Sequence, residues 1–241
     1  MADLRIVPIA KRDQTDFAAF SRSGVCEDVL PIFGAHPLST AFNRSPVVLV
    51  EGEDDRRVLE QVVRSGNGQF AMAPCVVGSV SELSEWEDWL NRFLPVLYDT
   101  PKAFSLRDLD NAQQVDINDL EHVCRIRLNC YAMENLLLSD QVLEAHGFDA
   151  KSFRAAVQAR VDRVPNHKYS EALRALVVDF GDRRTLNIKD VRNIVVAELG
   201  SNKPWEVLVG QSIAANVAAS NAGENSIQSY LGQKSITRLF A

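Results

Sequence analysis

Acidic side chains that could bind metal ions occur in two clusters of the sequence. The first cluster holds Glu51 and Asp55, and the second holds Asp108 and Asp110 in the run Asp-Leu-Asp. A spacing of two places both carboxylates of the second cluster on one side of an extended backbone. Hard divalent cations such as Mg²⁺ prefer oxygen ligands and keep several waters, so a few converging carboxylates suit them. Two ions held in this way could activate a water molecule and stabilise the leaving oxygen of a phosphodiester.

Each cluster taken alone has an ordinary structural explanation. Acids are common at the ends of strands and helices, where they cap a helix or are simply solvated. What favours a functional site is the repetition of the pattern, because each cluster follows a predicted strand. We therefore expect the two clusters to meet around shared divalent ions.

The strand before the first cluster is the clearest element of the sequence. Residues 47–50 are all apolar and lie between a proline and a Glu-Gly pair. A short apolar run with such boundaries predicts a buried strand. The residues that follow predict a helix that starts near Asp54 or Asp55. One face of this helix is apolar and consists of Val58, Leu59, Val62 and Val63.

Strands and helices alternate after this point, which indicates βαβ units and a mainly parallel sheet. Open α/β sheets of this kind build their sites at the carboxyl ends of the strands. Ser79 and Glu82 form a capping-box pattern before one helix, and Pro74 would bend its strand or confine it to an edge. From about residue 133 helices predominate. The further predicted strands are 70–77, 103–106 and 123–131, and the predicted helices are 83–94, 133–138, 153–161, 171–180, 189–199 and 205–219.

Composition and charge narrow the class of protein. The chain has 241 residues, of which 46% are apolar and 24% charged, as in ordinary globular proteins. It has neither an apolar run of the ~20 residues that a membrane helix needs nor a signal-peptide pattern, so we expect a cytoplasmic protein. The net charge of −6 weighs mildly against nucleic-acid binding by electrostatics alone. Metal ions held by clustered carboxylates would reverse the local charge.

Three segments of the sequence resemble the Toprim domain. They are Val-Leu-Val-Glu-Gly-Glu-Asp-Asp at 48–55, Asp-Leu-Asp at 108–110 and Cys-Tyr-Ala-Met-Glu-Asn-Leu-Leu-Leu at 130–138. Topoisomerases, bacterial primases, small RNA-maturation nucleases and the OLD (overcoming lysogenization defect) nucleases share this domain. The third segment is similar to the one that follows a core strand in OLD-like proteins. The resemblance covers residues 46–140 well and the helical remainder only loosely.

The resemblance implies an α/β fold with a Toprim-like, mainly parallel sheet flanked by helices and a helical C-terminal extension. It divides the chain into an N-terminal extension at 1–45, a Toprim catalytic core at 46–140 and a helical region at 141–241. It also implies roles for single residues. Metal ligands would be Glu51, Asp55, Asp108, Asp110 and Glu134, with Glu51 as the alternative general acid or base.

Lys203, in Asn-Lys-Pro-Trp-Glu, is similar to a late lysine of the family that would stabilise transition-state charge on the phosphate. The alternative is that a loop lysine is simply solvated. Likewise, Glu134 could be an exposed acid at a helix start. The cofactors implied are Mg²⁺ or Mn²⁺, as two ions.

The implied function is a metal-dependent nuclease that hydrolyses phosphodiester bonds of DNA or RNA. OLD proteins normally fuse Toprim to an ATPase, and we find no ATPase motif in this sequence. The chain therefore resembles the stand-alone Toprim protein of two-gene phage-defence systems, whose ATPase is a separate subunit. A homodimer is a further option. The alternatives are a non-catalytic module that binds nucleic acid or a partner, and a dedicated tRNA or rRNA nuclease.

Overall fold

The computed structural model describes residues 45–97, 100, 102–112, 117–219 and 223–241. The predicted N-terminal extension therefore lies outside the described residues except for its last position. Within the described part of the chain, no helix combines the length and the apolar character needed to cross a membrane.

The fold is α/β, with a four-stranded, all-parallel sheet flanked by helices. The strand order is β2-β1-β3-β4. The strands are β1 (Val47–Val50), β2 (Ala73–Val76), β3 (Ala103–Arg107) and β4 (Val123–Arg127). In the register, Leu49 of β1 lies opposite Cys75 of β2 on one side and Ser105 of β3 on the other.

All four residues of β1 are buried, as expected for a central strand covered on both faces. β2 lies at one edge of the sheet, which is where a strand that contains Pro74 can lose one ladder hydrogen bond without cost. The edge position predicted from this proline is confirmed.

β4 ends earlier than the predicted strand 123–131, because backbone N–H groups after Arg127 bond to segments outside the sheet. The N–H of Asn129 donates to the carbonyl of Tyr230 at 2.9 Å, and the N–H of Tyr131 donates to the carbonyl of Arg184 at 2.8 Å. These two N–H groups therefore donate to segments distant in sequence and not to a neighbouring strand. The chain after β4 is therefore irregular and is positioned by tertiary contacts.

Two helices follow the first two strands. Helix α1 (Glu53–Ser65) buries Val58, Leu59 and Val62 and carries three acids in its first turn, which compensate the helix dipole. Helix α2 (Val80–Leu97) begins after a capping box. Glu82 accepts the Ser79 N–H at 2.6 Å, and the Ser79 hydroxyl accepts the Glu82 N–H at 3.4 Å. The predicted capping box is confirmed.

The remaining helices differ from prediction mainly in their ends and in their type. The predicted helix 133–138 is a 3₁₀ helix (Met133–Leu138), and all six of its residues are buried. The predicted helix 189–199 begins only at Arg192, because residues 188–191 form a turn in which the Val191 N–H donates to the Ile188 carbonyl at 2.9 Å. The helices are α3 (Asp140–Ala145), α4 (Ala150–Arg163), α5 (Ser170–Val178), α6 (Arg192–Glu198), α7 (Trp205–Asn216), α8 (Ile227–Leu231) and α9 (Gln233–Arg238), with a second 3₁₀ helix at Phe180–Asp182.

The chain forms two compact units that do not follow chain order. Of the residues that the structure describes, the first unit takes those within 45–56, 71–105 and 118–125, and the second takes those within 57–70, 106–117 and 126–241. The predicted division at residues 45 and 140 stays a prediction.

Each unit has its own apolar packing. In the first unit, apolar strand residues pack against three leucines of α2, Leu83, Leu90 and Leu94. The strand residues are Val47, Leu49, Cys75, Ala103 and Val123. Glu87, which is fully buried beside this core, accepts a hydrogen bond from the Ser105 hydroxyl and forms an ion pair with Arg125 at 2.7 Å. In the second unit, the Phe153 ring lies between those of Phe148 and Phe180.

Candidate active site

The end of β3 positions Asp108 and Asp110. The N–H of Leu109 donates to the carbonyl of Cys130 at 3.3 Å, and the N–H of Asp110 donates to the carbonyl of Tyr131 at 2.8 Å. Asp110 has a φ of +46°, a left-handed conformation that aspartate tolerates better than most residues. Leu109 is buried, while the Asp108 and Asp110 side chains are 14% and 42% exposed. Backbone pairing with the segment after β4 therefore holds both acids in place.

The two carboxylates converge on one cation, the ammonium of Lys189. Its Nζ lies 2.9 Å from Oδ2 of Asp108 and 3.4 Å from Oδ1 of Asp110. The same ammonium lies 5.7 Å from the centroid of the Tyr131 ring, a distance at which cation–π attraction contributes. This lysine was not among the residues predicted for the site.

Glu134 lies in the 3₁₀ helix after β4, and its side chain is only 7% exposed. Its Oε1 is 3.6 Å from a guanidinium nitrogen of Arg192, and that nitrogen also donates to the Lys189 carbonyl at 2.7 Å. Lys189 and Arg192 thus supply positive charge from one segment to three acids.

Asn135 holds the backbone that carries Glu134. Its buried side-chain amide donates to the carbonyls of Arg183 at 2.9 Å and Leu186 at 2.7 Å. Its Oδ1 accepts the N–H of Ala132 at 3.1 Å. With all three bonds made, this side chain ties the 3₁₀ helix to the segment that leads to Lys189.

The acids and the lysine shift one another's pKa values. Burial raises the pKa of Asp108, an effect that the positive charge of Lys189 opposes and the negative charge of Asp110 reinforces. Burial also raises the pKa of Glu134. Burial by itself would lower the pKa of Lys189, but the charges of Asp108, Asp110 and Glu134 outweigh it and raise the pKa. The cluster therefore favours a bound positive charge.

Cys130 lies beside this cluster but is not a nucleophile. It is fully buried, and its thiol contacts the Ala132 carbonyl at 3.2 Å. Burial raises the pKa of this thiol well above the ordinary value, with the Asp108 and Glu134 charges adding to the effect. Because the thiolate is the reactive form, Cys130 stays inert.

The side chains present fit a magnesium-type ion of the kind that keeps most of its waters. Among the residues that the structure describes, no group of three or more His, Cys, Asp or Glu side chains is placed to hold a metal ion. Mg²⁺ does not require one, because it is commonly held by one or two carboxylates together with substrate phosphates. Asp108 and Asp110 already direct hard oxygen ligands at a single cation.

The first predicted cluster lies in the first compact unit. Glu51 follows β1 directly and is half-buried. Asp55 is in the first turn of α1, and its Oδ2 accepts the N–H of Gly52 at 3.2 Å. The Asp55 carboxylate thus stabilises the turn between β1 and α1. Metal binding by Glu51 and Asp55 stays a prediction.

Lys203, the lysine predicted for catalysis, precedes α7. Its Nζ donates to Oε1 of Gln211 at 2.8 Å, and its N–H donates to the Ser201 hydroxyl at 3.2 Å. The lysine that contacts the paired aspartates is instead Lys189. No local pattern marks Lys189, whose contacts with these acids span 79 and 81 residues of sequence.

Comparisons with known proteins give a weak structural likeness. No protein-family profile matches the chain, and no curated protein matches it significantly. The C-terminal region of the Xanthomonas campestris pv. campestris OLD protein, phased with platinum, is 15% identical with a TM-score of 0.37 over 83% of this chain and 93% of that one. The mercury-phased structure of the same region is 15% identical with a TM-score of 0.36, over 81% and 94%. Likeness at this level says nothing of chemistry, so the function has to be derived from the site.

Proposed function

We propose that this protein is a metal-dependent nuclease that hydrolyses phosphodiester bonds of DNA or RNA. The observation that carries the proposal is the convergence of Asp108 and Asp110 on one cation position at the end of β3, with Glu134 interacting electrostatically with the same lysine. Acids at the carboxyl end of a parallel strand occupy the edge where α/β sheets bind their ligands.

Each side chain has a role in the proposed site. Asp108 and Asp110 would hold a Mg²⁺ or Mn²⁺ ion, with water and substrate oxygens as its other ligands. Glu134, a ligand implied by the sequence resemblance, would add negative charge beside this pair from the 3₁₀ helix. When bound, the ion would supply Lewis-acid stabilisation of charge on the phosphate. Arg192 would keep Glu134 oriented through their ion pair at 3.6 Å. Glu51 and Asp55 as further ligands, and Lys203 as a transition-state cation, are carried over from the sequence resemblance.

The proposal predicts that removing one carboxylate charge abolishes cleavage. Plasmid DNA and a structured RNA, incubated side by side with the chain in Mn²⁺, should be cut, and D110N should lower the rate at least about 100-fold because the ion loses a ligand. Asp179→Asn is the matched control, since Asp179 is exposed at the end of α5, and it should cleave like the parent.

Two results would contradict the proposal. One is that the parent cuts neither substrate under any divalent cation. The other is that D110N and the parent cleave equally well. The ratio of DNA to RNA cleavage decides between a general nuclease and one dedicated to tRNA or rRNA.

A second candidate is a non-catalytic module that binds nucleic acid or a partner. The contact that favours it is the ion pair of Lys189 with both aspartates, because such a pair also serves a purely structural purpose. Thermal stabilisation by Mn²⁺ without cleavage would support this candidate. A role in phage defence, a separate ATPase subunit and a homodimer stay predictions from the sequence.

A further inference from the structure

We propose that Lys189 is an internal counter-ion that occupies the cation position between Asp108 and Asp110, and that a divalent ion must displace its ammonium in order to bind. This inference rests on the metal site of the proposed function. It goes beyond that function by assigning to Lys189 the task of setting how tightly the metal is held.

The first argument is the space between the carboxylates. The ammonium lies 2.9 Å from an oxygen of Asp108 and 3.4 Å from an oxygen of Asp110. Mg²⁺ binds carboxylate oxygens at about 2.0–2.1 Å. A metal ion at that distance from the same two oxygens would lie within a few ångströms of the ammonium. Two positive charges that close repel strongly, so the two cations exclude one another.

The second argument is that the side chain is able to leave while its backbone stays. The Lys189 side chain is 39% exposed, so its long stem borders on water into which it can turn. The backbone, in contrast, is fixed on both sides. Its N–H donates to Asn187 at 3.1 Å, and its carbonyl accepts from Arg192 at 2.7 Å. Displacement therefore requires a change of side-chain rotamer and no rearrangement of the fold.

The third argument is the neighbouring aromatic ring. The Tyr131 hydroxyl accepts a hydrogen bond from the Asn187 amide at 3.1 Å, so the ring is held beside the lysine. The ammonium already lies 5.7 Å from its centroid. The ring face gives the displaced ammonium a nearby favourable position.

The test is the affinity of the full chain for Mn²⁺, measured by calorimetry in the absence of nucleic acid. Lys189→Met removes the competing charge and keeps an unbranched apolar stem that is one atom shorter. We expect its Kd for Mn²⁺ to be at least about tenfold lower than that of the parent. Lys189→Arg keeps a cation at this position and should not bind Mn²⁺ more tightly than the parent.

Lys151→Met is the matched control for net charge, because Lys151 is exposed on α4. It removes the same single positive charge away from the aspartates and should leave the Kd unchanged.

The melting temperature gives a second readout. In EDTA, Lys189→Met should melt below the parent, because two carboxylates have lost their counter-ion, and saturating Mn²⁺ should raise its melting temperature more than that of the parent. Lys189→Gln repeats both measurements if the methionine variant does not fold.

The outcomes separate this inference from the proposed function. If the parent binds Mn²⁺ and Lys189→Met binds it equally or less tightly, the counter-ion role is overturned while the nuclease proposal stands. If neither protein binds Mn²⁺, the counter-ion role is overturned, and the nuclease proposal is decided separately by the cleavage assay with D110N. Tighter binding by Lys189→Met, with Lys151→Met unchanged, supports the counter-ion role whichever nucleic acid is the substrate.

Discussion

At the scale of single residues, the chemistry of the candidate site depends on the ionisation of the partly buried Asp108 and the buried Glu134. Burial raises the pKa values of Asp108 and Glu134 above their ordinary values of 3.8 and 4.5. For an acid whose pKa is higher in the folded state, the unfolded chain loses the proton first as the pH rises. In the absence of metal, the free energy of unfolding therefore falls as the pH rises from the pKa of the unfolded chain to the pKa of the folded chain. A bound divalent cation favours the ionised forms and opposes this loss.

This sign predicts a pH dependence of metal stabilisation. The gain in melting temperature from Mn²⁺ over EDTA should be small near pH 4 and should grow as the pH rises through the folded pKa values of Asp108 and Glu134. Lys189 is protonated throughout this range, because its pKa is raised, and so it contributes no slope. Differential scanning fluorimetry at a series of pH values measures the gain. A gain that stays unchanged from pH 4 to pH 8 would show that the ion is not bound at these acids.

At the scale of elements, the decisive piece is the short 3₁₀ helix Met133–Leu138. It is too short to be stable by itself, and its polar anchor is the Asn135 side chain. That side chain makes three hydrogen bonds to the backbone at Ala132, Arg183 and Leu186. The orientation of Glu134 thus depends on a neighbour that performs no chemistry.

Replacing this anchor should destabilise the protein. Asn135→Ala leaves the buried carbonyl of Arg183, the partly buried carbonyl of Leu186 and the N–H of Ala132 without this partner. We expect this loss to lower the free energy of unfolding by roughly 2–4 kcal/mol. Asn193→Ala, at an exposed position of α6, is the control and should change it by less than about 0.5 kcal/mol. Urea denaturation followed by circular dichroism compares the two. Equal free energies of unfolding for the two variants would show that Asn135 does not anchor the 3₁₀ helix.

At the scale of the whole molecule, the formal charge of −6 conflicts with the negative charge of a nucleic-acid substrate. Counterion release from a large basic surface would usually supply the binding energy. In this acidic chain the carboxylates that hold the metal would instead repel phosphate until an ion neutralises them. Nucleic-acid binding and metal binding should therefore be coupled.

The coupling predicts that nucleic acid binds more tightly in the presence of a divalent ion. A labelled duplex and a labelled RNA hairpin should bind at least about tenfold more tightly in Ca²⁺ than in EDTA, as measured by fluorescence anisotropy at constant ionic strength. The reason is that the ion cancels the repulsion at the acidic cluster. Equal binding in Ca²⁺ and EDTA would place the nucleic-acid contact elsewhere on the surface.

Local patterns in the sequence were enough to predict the α/β class, the central strand β1, the edge position of β2 and the capping box of α2. Each of these depends on residues a few positions apart, whose apolar period, proline or cap acts on the adjacent backbone. The same holds for Asp108 and Asp110, whose spacing and preceding strand made them candidate ligands.

Only the folded chain shows that Lys189 contacts both aspartates and that Asn135 fixes the 3₁₀ helix. These contacts join positions 48 to 81 residues apart, and a lysine in an irregular segment or an asparagine beside a predicted acid has no local signature. Packing of the helical C-terminal region brings these side chains to the end of β3. For that reason the sequence indicated the acids, and the tertiary structure supplied the cation between them.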